Sequence, residues 1–142
     1  MRVAVDGGVD DRCLPIGLGR ASRAALEYGE RLHHAGLPVE KAKVTILTVS
    51  GDEDAMWPSV TMGQIVERRL AEHGFSHDVI HLQYPDAGHV CAGIPGTPLM
   101  TEVRHPITGG LYSFGGSRAG NAKARAASWP QALSFLPTTL PA

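Results

Sequence analysis

The sequence has few cysteines, no excess of charge of either sign and no long apolar run. Its two cysteines, Cys13 and Cys91, lack C-x-x-C spacing, so we expect free thiols. Lys plus Arg (13) nearly balance Asp plus Glu (14), which gives no reason to expect nucleic acid or a membrane surface as partner. No apolar stretch approaches the roughly 20 residues of a membrane span, and Asp6 comes too early for a signal-peptide core. We therefore expect a soluble, cytoplasmic chain.

What the sequence has in excess is glycine and proline. The 17 glycines and 10 prolines make up 27 of 142 residues, or about 19%, against roughly 12% in an average protein. The length suits one domain with one core. Much of the backbone must be loop, and residues 85–120 are dense in both residue types. A stretch of this length is too long for a simple connection, so we predict that it is functional or mobile.

Predicted helices alternate with two predicted strands. The strand over 44–49 is β-branched and nearly continuous in apolar residues, which is typical of a strand buried on both faces of a parallel sheet. Pro130 lies inside the last helix and is expected to kink or loosen it. The order indicates a βαβ unit and therefore the α/β class. The elements are a helix over 19–35, a strand over 44–49, a helix beginning near Ser59, a strand over 78–84 and a helix over 121–136.

Asp54 and His89 are the candidate catalytic residues, because each lies just beyond the carboxyl end of a predicted strand. The ends of two adjacent parallel strands bring their loops side by side, so the two side chains are expected to meet. A carboxylate that accepts from one imidazole N–H fixes the tautomer and frees the other nitrogen to act as a base. The order of acid then base is that of an α/β-hydrolase triad. The alternative for each residue taken alone is an ordinary turn Asp and a surface His.

Three segments resemble one known family: S-G-D-E-D-A-M-W-P-S at 50–59, Y-P-D-A-G-H at 84–89, and the glycines and Ala-rich stretch from Gly109 to Leu136. They are similar to the C-terminal catalytic domain shared by acyl-CoA thioester hydrolases and bile acid-CoA:amino acid N-acyltransferases. The resemblance covers roughly 36–136. It implies the C-terminal portion of an α/β-hydrolase, with about two parallel strands, flanking helices and an incomplete sheet. Residues 1–36 would be a lead-in with a helix, 37–136 the hydrolase portion and 137–142 a frayed tail.

The resemblance also implies the chemistry. Asp54 would be the triad acid and His89 the triad base in hydrolysis or transfer of an acyl group from a thioester. Coenzyme A would enter as part of the substrate, with no separate cofactor and no metal. In the family, a Ser or Cys on a strand-to-helix elbow upstream of the acid is the nucleophile. No such elbow is found here, and neither is the oxyanion hole that it would help to form.

The candidates for a nucleophile are all poor. None lies in a G-x-S-x-G turn between a strand and a helix; they are Cys13, Ser22, Ser50 and Ser117. Three interpretations therefore stay open. The chain is thioester hydrolase-like but inactive alone, or it is a truncated, non-catalytic module that binds acyl groups or a partner and self-associates through an uncovered sheet edge. The third is a complete small α+β domain of unrelated function.

Other residues carry weaker signals. His73, His77 and His81 recur every four residues, but Gly74 interrupts their helix, so we predict no metal site. Cys91 is interpreted as a small apolar filler rather than a nucleophile beside His89. A basic group could meet the phosphates of coenzyme A or form a solvated rim. Its members are Arg104, Arg118, Lys123 and Arg125.

Overall fold

The computed structural model describes residues 37–139, so the helix predicted over 19–35 lies outside the described residues. Two parallel strands, β1 (Ile46–Gly51) and β2 (Val79–Tyr84), pair in register from Ile46 opposite Val79 to Gly51 opposite Tyr84. β1 begins two residues later than predicted, since its first ladder bond is the Ile46 N–H to the Asp78 carbonyl, at 2.9 Å. Only Ser50 and Gly51 of β1 are buried, so full burial of this strand is not observed in the described part.

Helix α1 (Ser59–Glu72) connects the two strands and starts at the predicted residue. Gly74, two residues beyond its last residue, terminates it: the positive φ of 61° lets the Gly74 N–H donate to the Ala71 carbonyl while the Phe75 N–H donates to the Leu70 carbonyl. This Schellman arrangement satisfies the last carbonyls of the helix. Leu70, only 1% exposed, is the largest buried apolar side chain among residues 37–136. The βαβ order predicted from the sequence is therefore confirmed.

The region over 85–120 contains a short antiparallel pair that the sequence analysis did not predict. Strands β3 (Glu102–Arg104) and β4 (Leu111–Ser113) pair through three residues each. Strands this short show no readable alternation, and all three residues of β3 are exposed. Two isolated bridges follow β4 and fasten this region to the parallel strands: Asp54 with Gly115, and Ala87 with Gly116.

Helix α2 (Arg118–Thr139) closes the described structure. It begins three residues before the predicted start, because Ser117 caps it: the Ser117 Oγ accepts the Gly120 N–H at 2.8 Å. It continues through Pro130 and reaches Thr139, inside the segment predicted to be a tail. A small core forms where Ala124 of α2 meets Ala87 and Cys91. The interpretation of Cys91 as an apolar filler is thus confirmed.

The observed class agrees with the prediction. The fold is α/β, and within residues 37–139 the parallel sheet has two strands, which is consistent with a C-terminal portion of an α/β-hydrolase. Neither of the helices described has the length and apolar character that a bilayer crossing requires.

Candidate active site

Asp54 lies in the turn that follows β1, and its carboxylate is almost fully buried. One oxygen, Oδ1, accepts the N–H groups of Met56 and Trp57, both at 2.9 Å. These bonds arise from residues two and three positions further along, so the turn itself orients the acid. The residue is 5% exposed. The other oxygen, Oδ2, is therefore the one directed at a partner.

That partner is His89, in the loop after β2. Its Nδ1 lies 3.1 Å from Asp54 Oδ2, and its side chain is 33% exposed. A carboxylate acceptor at Nδ1 fixes the proton there and leaves Nε2 unprotonated in the neutral ring. The structure thus brings together the two residues selected from the sequence, as the ends of adjacent parallel strands predict.

Two aromatic rings flank the imidazole. Trp57 meets it edge-on at 5.4 Å between ring centroids, and Phe114 stacks on it at 6.0 Å with an interplanar angle of 24°. The Phe114 carbonyl also accepts the His89 backbone N–H at 2.8 Å. The backbone hydrogen bond and the two aromatic contacts together restrict rotation of the His89 side chain about χ1 and χ2.

The two loops are joined by backbone bonds that extend the ladder past the strands. The Asp52 N–H donates to the Tyr84 carbonyl at 3.1 Å, and the Glu53 N–H to Ala87 at 2.9 Å. Gly115 then packs its backbone against Glu53. A Cβ at Gly115 would overlap the Glu53 carbonyl oxygen, and the φ of 74° also favours glycine. The Gly-Gly pair at 115–116 is the sequence signal for this close approach.

None of the nucleophile candidates that the structure describes contacts the His89 ring. Ser50 is buried and bonds to His81 Nε2 at 2.9 Å and to the Ser59 carbonyl at 3.1 Å. Ser117 caps α2 and donates to Asp86 Oδ2 at 2.6 Å. Cys91 is buried, which, with the nearby charge of Asp54, raises the pKa of its thiol. Cys13 and Ser22 lie outside the described residues.

A second acid–base cluster, which the sequence analysis missed, lies behind the sheet. His81 Nδ1 contacts Glu67 Oε2 at 3.0 Å, while Nε2 contacts Ser50. The distances resemble those of a catalytic triad, but the His81 side chain has no exposed surface and Gly63 of α1 packs directly against its ring. The buried ring therefore links Glu67 of α1 to the sheet. The only sequence signal for this cluster was the alternation of apolar and polar residues along β2, which places His81 on one face of the sheet.

The three spaced histidines end up in different environments. His73 contacts the Arg69 carbonyl through Nδ1 at 2.9 Å, His77 packs its ring against Phe75 at 5.3 Å, and His81 belongs to the buried cluster. Across the described part of the chain, no three His, Cys, Asp or Glu residues converge on a point that could hold a metal ion.

Two members of the basic group are engaged in local structure. Arg125 donates from Nε to the Val90 carbonyl at 2.9 Å and from Nη1 to Thr97 at 2.6 Å, which braces the loop after His89. Arg104 donates to the Gly109 carbonyl at 2.6 Å across the β3–β4 turn. A cleft of about 250 Å³ lies beside Asp54 and is lined by Gly51, Asp52, Asp54, Trp57, Pro58, Ser59, Val60 and Thr61.

A sequence profile of the family described as BAAT / Acyl-CoA thioester hydrolase C terminal matches residues 20–142. The chain belongs to this family. The match includes the turn with Asp54, the loop with His89 and the whole of α2, so the predicted family is confirmed. Curated relatives agree with the family assignment, and the match covers only part of their length.

The relatives carry thioesterase and acyltransferase names. Acyl-coenzyme A thioesterase 6 of Homo sapiens is 33% identical over 106 residues, which cover 75% of this chain and 25% of that protein. Peroxisomal succinyl-coenzyme A thioesterase of Mus musculus is 35% identical over 70% of this chain and 23% of its own length. Acyl-coenzyme A amino acid N-acyltransferase 1 of Mus musculus is 36% identical over the same shares. The chain thus aligns with about a quarter of the length of these relatives.

Proposed function

We propose that this member of the BAAT / acyl-CoA thioester hydrolase family supplies the acid, Asp54, and the base, His89, of a triad that acts on acyl-CoA thioesters. The observation that carries the proposal is the contact of 3.1 Å between Asp54 Oδ2 and His89 Nδ1. It supports this role because the pair stands at adjacent strand ends, where α/β enzymes gather their catalytic groups.

In the proposed reaction, His89 Nε2 takes the proton of a Ser or Cys nucleophile as that group attacks the thioester carbonyl. The C–S bond then breaks, and the same proton passes to the departing thiolate of coenzyme A. Water or an amino-acid amine then gives a proton to His89 Nε2 and attacks the acyl-enzyme; the acyl bond to the nucleophile breaks, the proton returns to the nucleophile, and a carboxylic acid or an amide is released. Asp54 stays ionised and stabilises the imidazolium that forms between these steps.

The surroundings of Asp54 support its assignment as the acid. Because Met56 and Trp57 occupy Oδ1, the carboxylate has one oxygen left for His89 and little freedom to turn away. Trp57 packs edge-on against the imidazole and Phe114 stacks on it, while a third of the His89 side chain remains exposed for a reacting partner. This is the balance that a general base requires: a fixed ring with an accessible nitrogen.

The nucleophile would come from outside residues 37–136, since no Ser, Thr or Cys within that range hydrogen-bonds the His89 ring. The names of the relatives support coenzyme A thioesters as the substrate class and leave water and amines as alternative acceptors. The proposed reaction uses no cofactor besides the coenzyme A of the substrate. The proposal names the substrate as an acyl thioester and specifies no particular acyl chain.

The test is release of free coenzyme A from an acyl-CoA, measured with a thiol reagent. The chain is assayed alone and as a chimera in which the upstream part of one thioesterase relative precedes residue 37, because the family resemblance implies a nucleophile upstream of the acid. In whichever form turns over, His89→Ala is expected to lower kcat by about 10³-fold or more, and Asp54→Asn by a comparable factor.

His77→Ala is the matched control, because His77 is exposed and its ring packs against Phe75, away from the Asp54–His89 pair. It is expected to retain full turnover. Turnover that survives His89→Ala in both forms would contradict the proposed base, and a chimera that folds but never turns over would contradict the proposed pair.

One observation favours a second candidate, a module that binds a partner or a second copy. Within the described residues β1 is paired on one side only, and Val44 and Ile80 are 50% and 39% exposed near the two strands. Open strand edges favour pairing with another chain. Light scattering after size-exclusion chromatography tests it: a monomer at micromolar concentration contradicts self-association.

A further inference from the structure

Asn121 is a buried polar residue that contacts both backbone segments around the imidazole. It lies in the first turn of α2 and has no exposed surface. Its Oδ1 accepts the Gly88 N–H at 2.8 Å, and its Nδ2 donates to the Gly115 carbonyl at 3.3 Å. We propose that Asn121 is a positioning residue for the Asp54–His89 pair. The proposal rests on the proposed function only for its effect on turnover.

Each of the two backbone groups that Asn121 contacts belongs to a residue next to a member of the site. Gly88 precedes His89, so the bond from its N–H fixes the backbone from which the imidazole projects. Gly115 follows Phe114, whose ring stacks on His89, and it bridges to Asp54. One amide side chain therefore sets the spacing between the base loop, the acid turn and the stacking ring.

The two hydrogen bonds that Asn121 makes to Gly88 and Gly115 require an amide side chain. The Gly88 N–H needs an acceptor and the Gly115 carbonyl needs a donor, and Asn offers one of each from a single planar group. An apolar side chain would leave both groups unsatisfied. An aspartate would keep the acceptor but face the Gly115 carbonyl with a negative oxygen. Aspartate keeps the size and shape of the side chain, whereas leucine keeps the branching at Cγ but is bulkier, so Asn121→Asp is the variant that separates hydrogen bonding from packing.

The position of the amide is itself fixed by the helix cap. Ser117 caps α2 and bonds Asp86, while the Asn121 N–H donates to the Ser117 carbonyl at 2.9 Å. The amide thus sits on a rigid first turn of helix, from which it reaches across to both loops. Sequence reasoning missed this residue, since a lone Asn near a helix start reads as an ordinary polar position.

The experiment compares Asn121→Leu and Asn121→Asp with wild type. Ser128→Ala is the control, because Ser128 is a buried polar residue of the same helix, 2% exposed. The readouts are ¹⁵N chemical shifts of the His89 ring, which report which nitrogen carries the proton, amide hydrogen exchange at Gly88, and kcat and KM in whichever form turns over. Circular dichroism establishes that each variant is folded.

In wild type and Ser128→Ala, we expect the proton on Nδ1 and slow exchange at Gly88. In Asn121→Leu, the ring is expected to shift towards a mixture of tautomers, exchange at Gly88 to rise at least tenfold, and kcat to fall 10- to 100-fold with KM within twofold. Asn121→Asp, which keeps the Gly88 acceptor, is expected to protect the Gly88 amide while still perturbing the ring.

Wild-type ring shifts in a folded Asn121→Leu or Asn121→Asp would overturn the proposal. If Asn121→Leu does not fold, Asn121→Asp decides by the same criterion. Failure of the proposed function looks different: turnover is then absent or insensitive to His89→Ala, whereas the ring shifts and the exchange rate still report whether Asn121 positions the pair.

Discussion

Replacing Gly63 by alanine should reverse the usual effect of that substitution in a helix. Gly63 lies in the middle of α1, where alanine ordinarily stabilises by about 1 kcal/mol because it lowers the entropy of the unfolded chain. Here the new methyl group would overlap Cε1 and Nε2 of the His81 ring and lie 3.0 Å from Nδ1. The ring would have to move.

The cost of that movement exceeds the gain in helix propensity. The His81 ring is bonded to Glu67 at 3.0 Å and to Ser50 at 2.9 Å, and each bond contributes about 0.5–1.5 kcal/mol. Overpacking of a filled interior adds about 1–3 kcal/mol. After the gain of about 1 kcal/mol from helix propensity, we expect Gly63→Ala to lower the free energy of unfolding by about 2 kcal/mol.

Urea denaturation followed by circular dichroism at 222 nm measures this change. The same substitution made together with His81→Ala removes the obstacle, so in that background Gly63→Ala should stabilise the chain by about 1 kcal/mol. A stabilising Gly63→Ala in the wild-type background would refute the reasoning, because it would mean that no ring occupies the space in front of Gly63.

Three further predictions test other parts of the fold. Arg69 forms a bidentate pair with Glu40 and lowers the pKa of that carboxyl to about 2, so the pair stabilises the fold above about pH 4.5 and loses its effect as the pH falls through 2. Glu40→Gln should accordingly lower the urea midpoint at pH 7, and this effect should shrink steadily as the pH falls from 4.5 towards 2. Burial raises the pKa of the Cys91 thiol, and in a Cys13→Ser background a thiol reagent at pH 8 should label the native chain far more slowly than the unfolded chain; equal rates would contradict the burial. Leu70→Ala should cost about 2–5 kcal/mol of unfolding free energy by urea denaturation.

The sequence predicted the acid–base pair because its geometry depends on strand order. A mainly apolar strand that ends at Ser50-Gly51, a second that ends at Tyr84 and a parallel connection between them are enough to bring Asp54 towards His89. The helix starting at Ser59 was equally readable, since its apolar face and Gly74 stop are local signals. These features follow from periodicity and from residues close together in the chain.

The features that sequence reasoning missed depend on contacts between distant residues. Asn121 meets Gly88 across 33 positions, and His81 meets Ser50 across 31. Nothing in the local pattern around either residue marks the contact. The β3–β4 pair was not predicted for another reason. Each strand has only three residues, too few to show an alternation of apolar and polar residues, and the pair is held to the parallel strands by the two bridges that follow it.

The contact between Asp54 and His89 closes over 35 residues, and every described group that supports it lies between β1 and the first turn of α2. The pair can therefore be inherited as one block. Recombination between family members upstream of β1 would exchange whatever precedes the block without disturbing the relation of carboxylate to imidazole. A lineage could in this way exchange the preceding segment while the distance between the carboxylate and the imidazole stays the same.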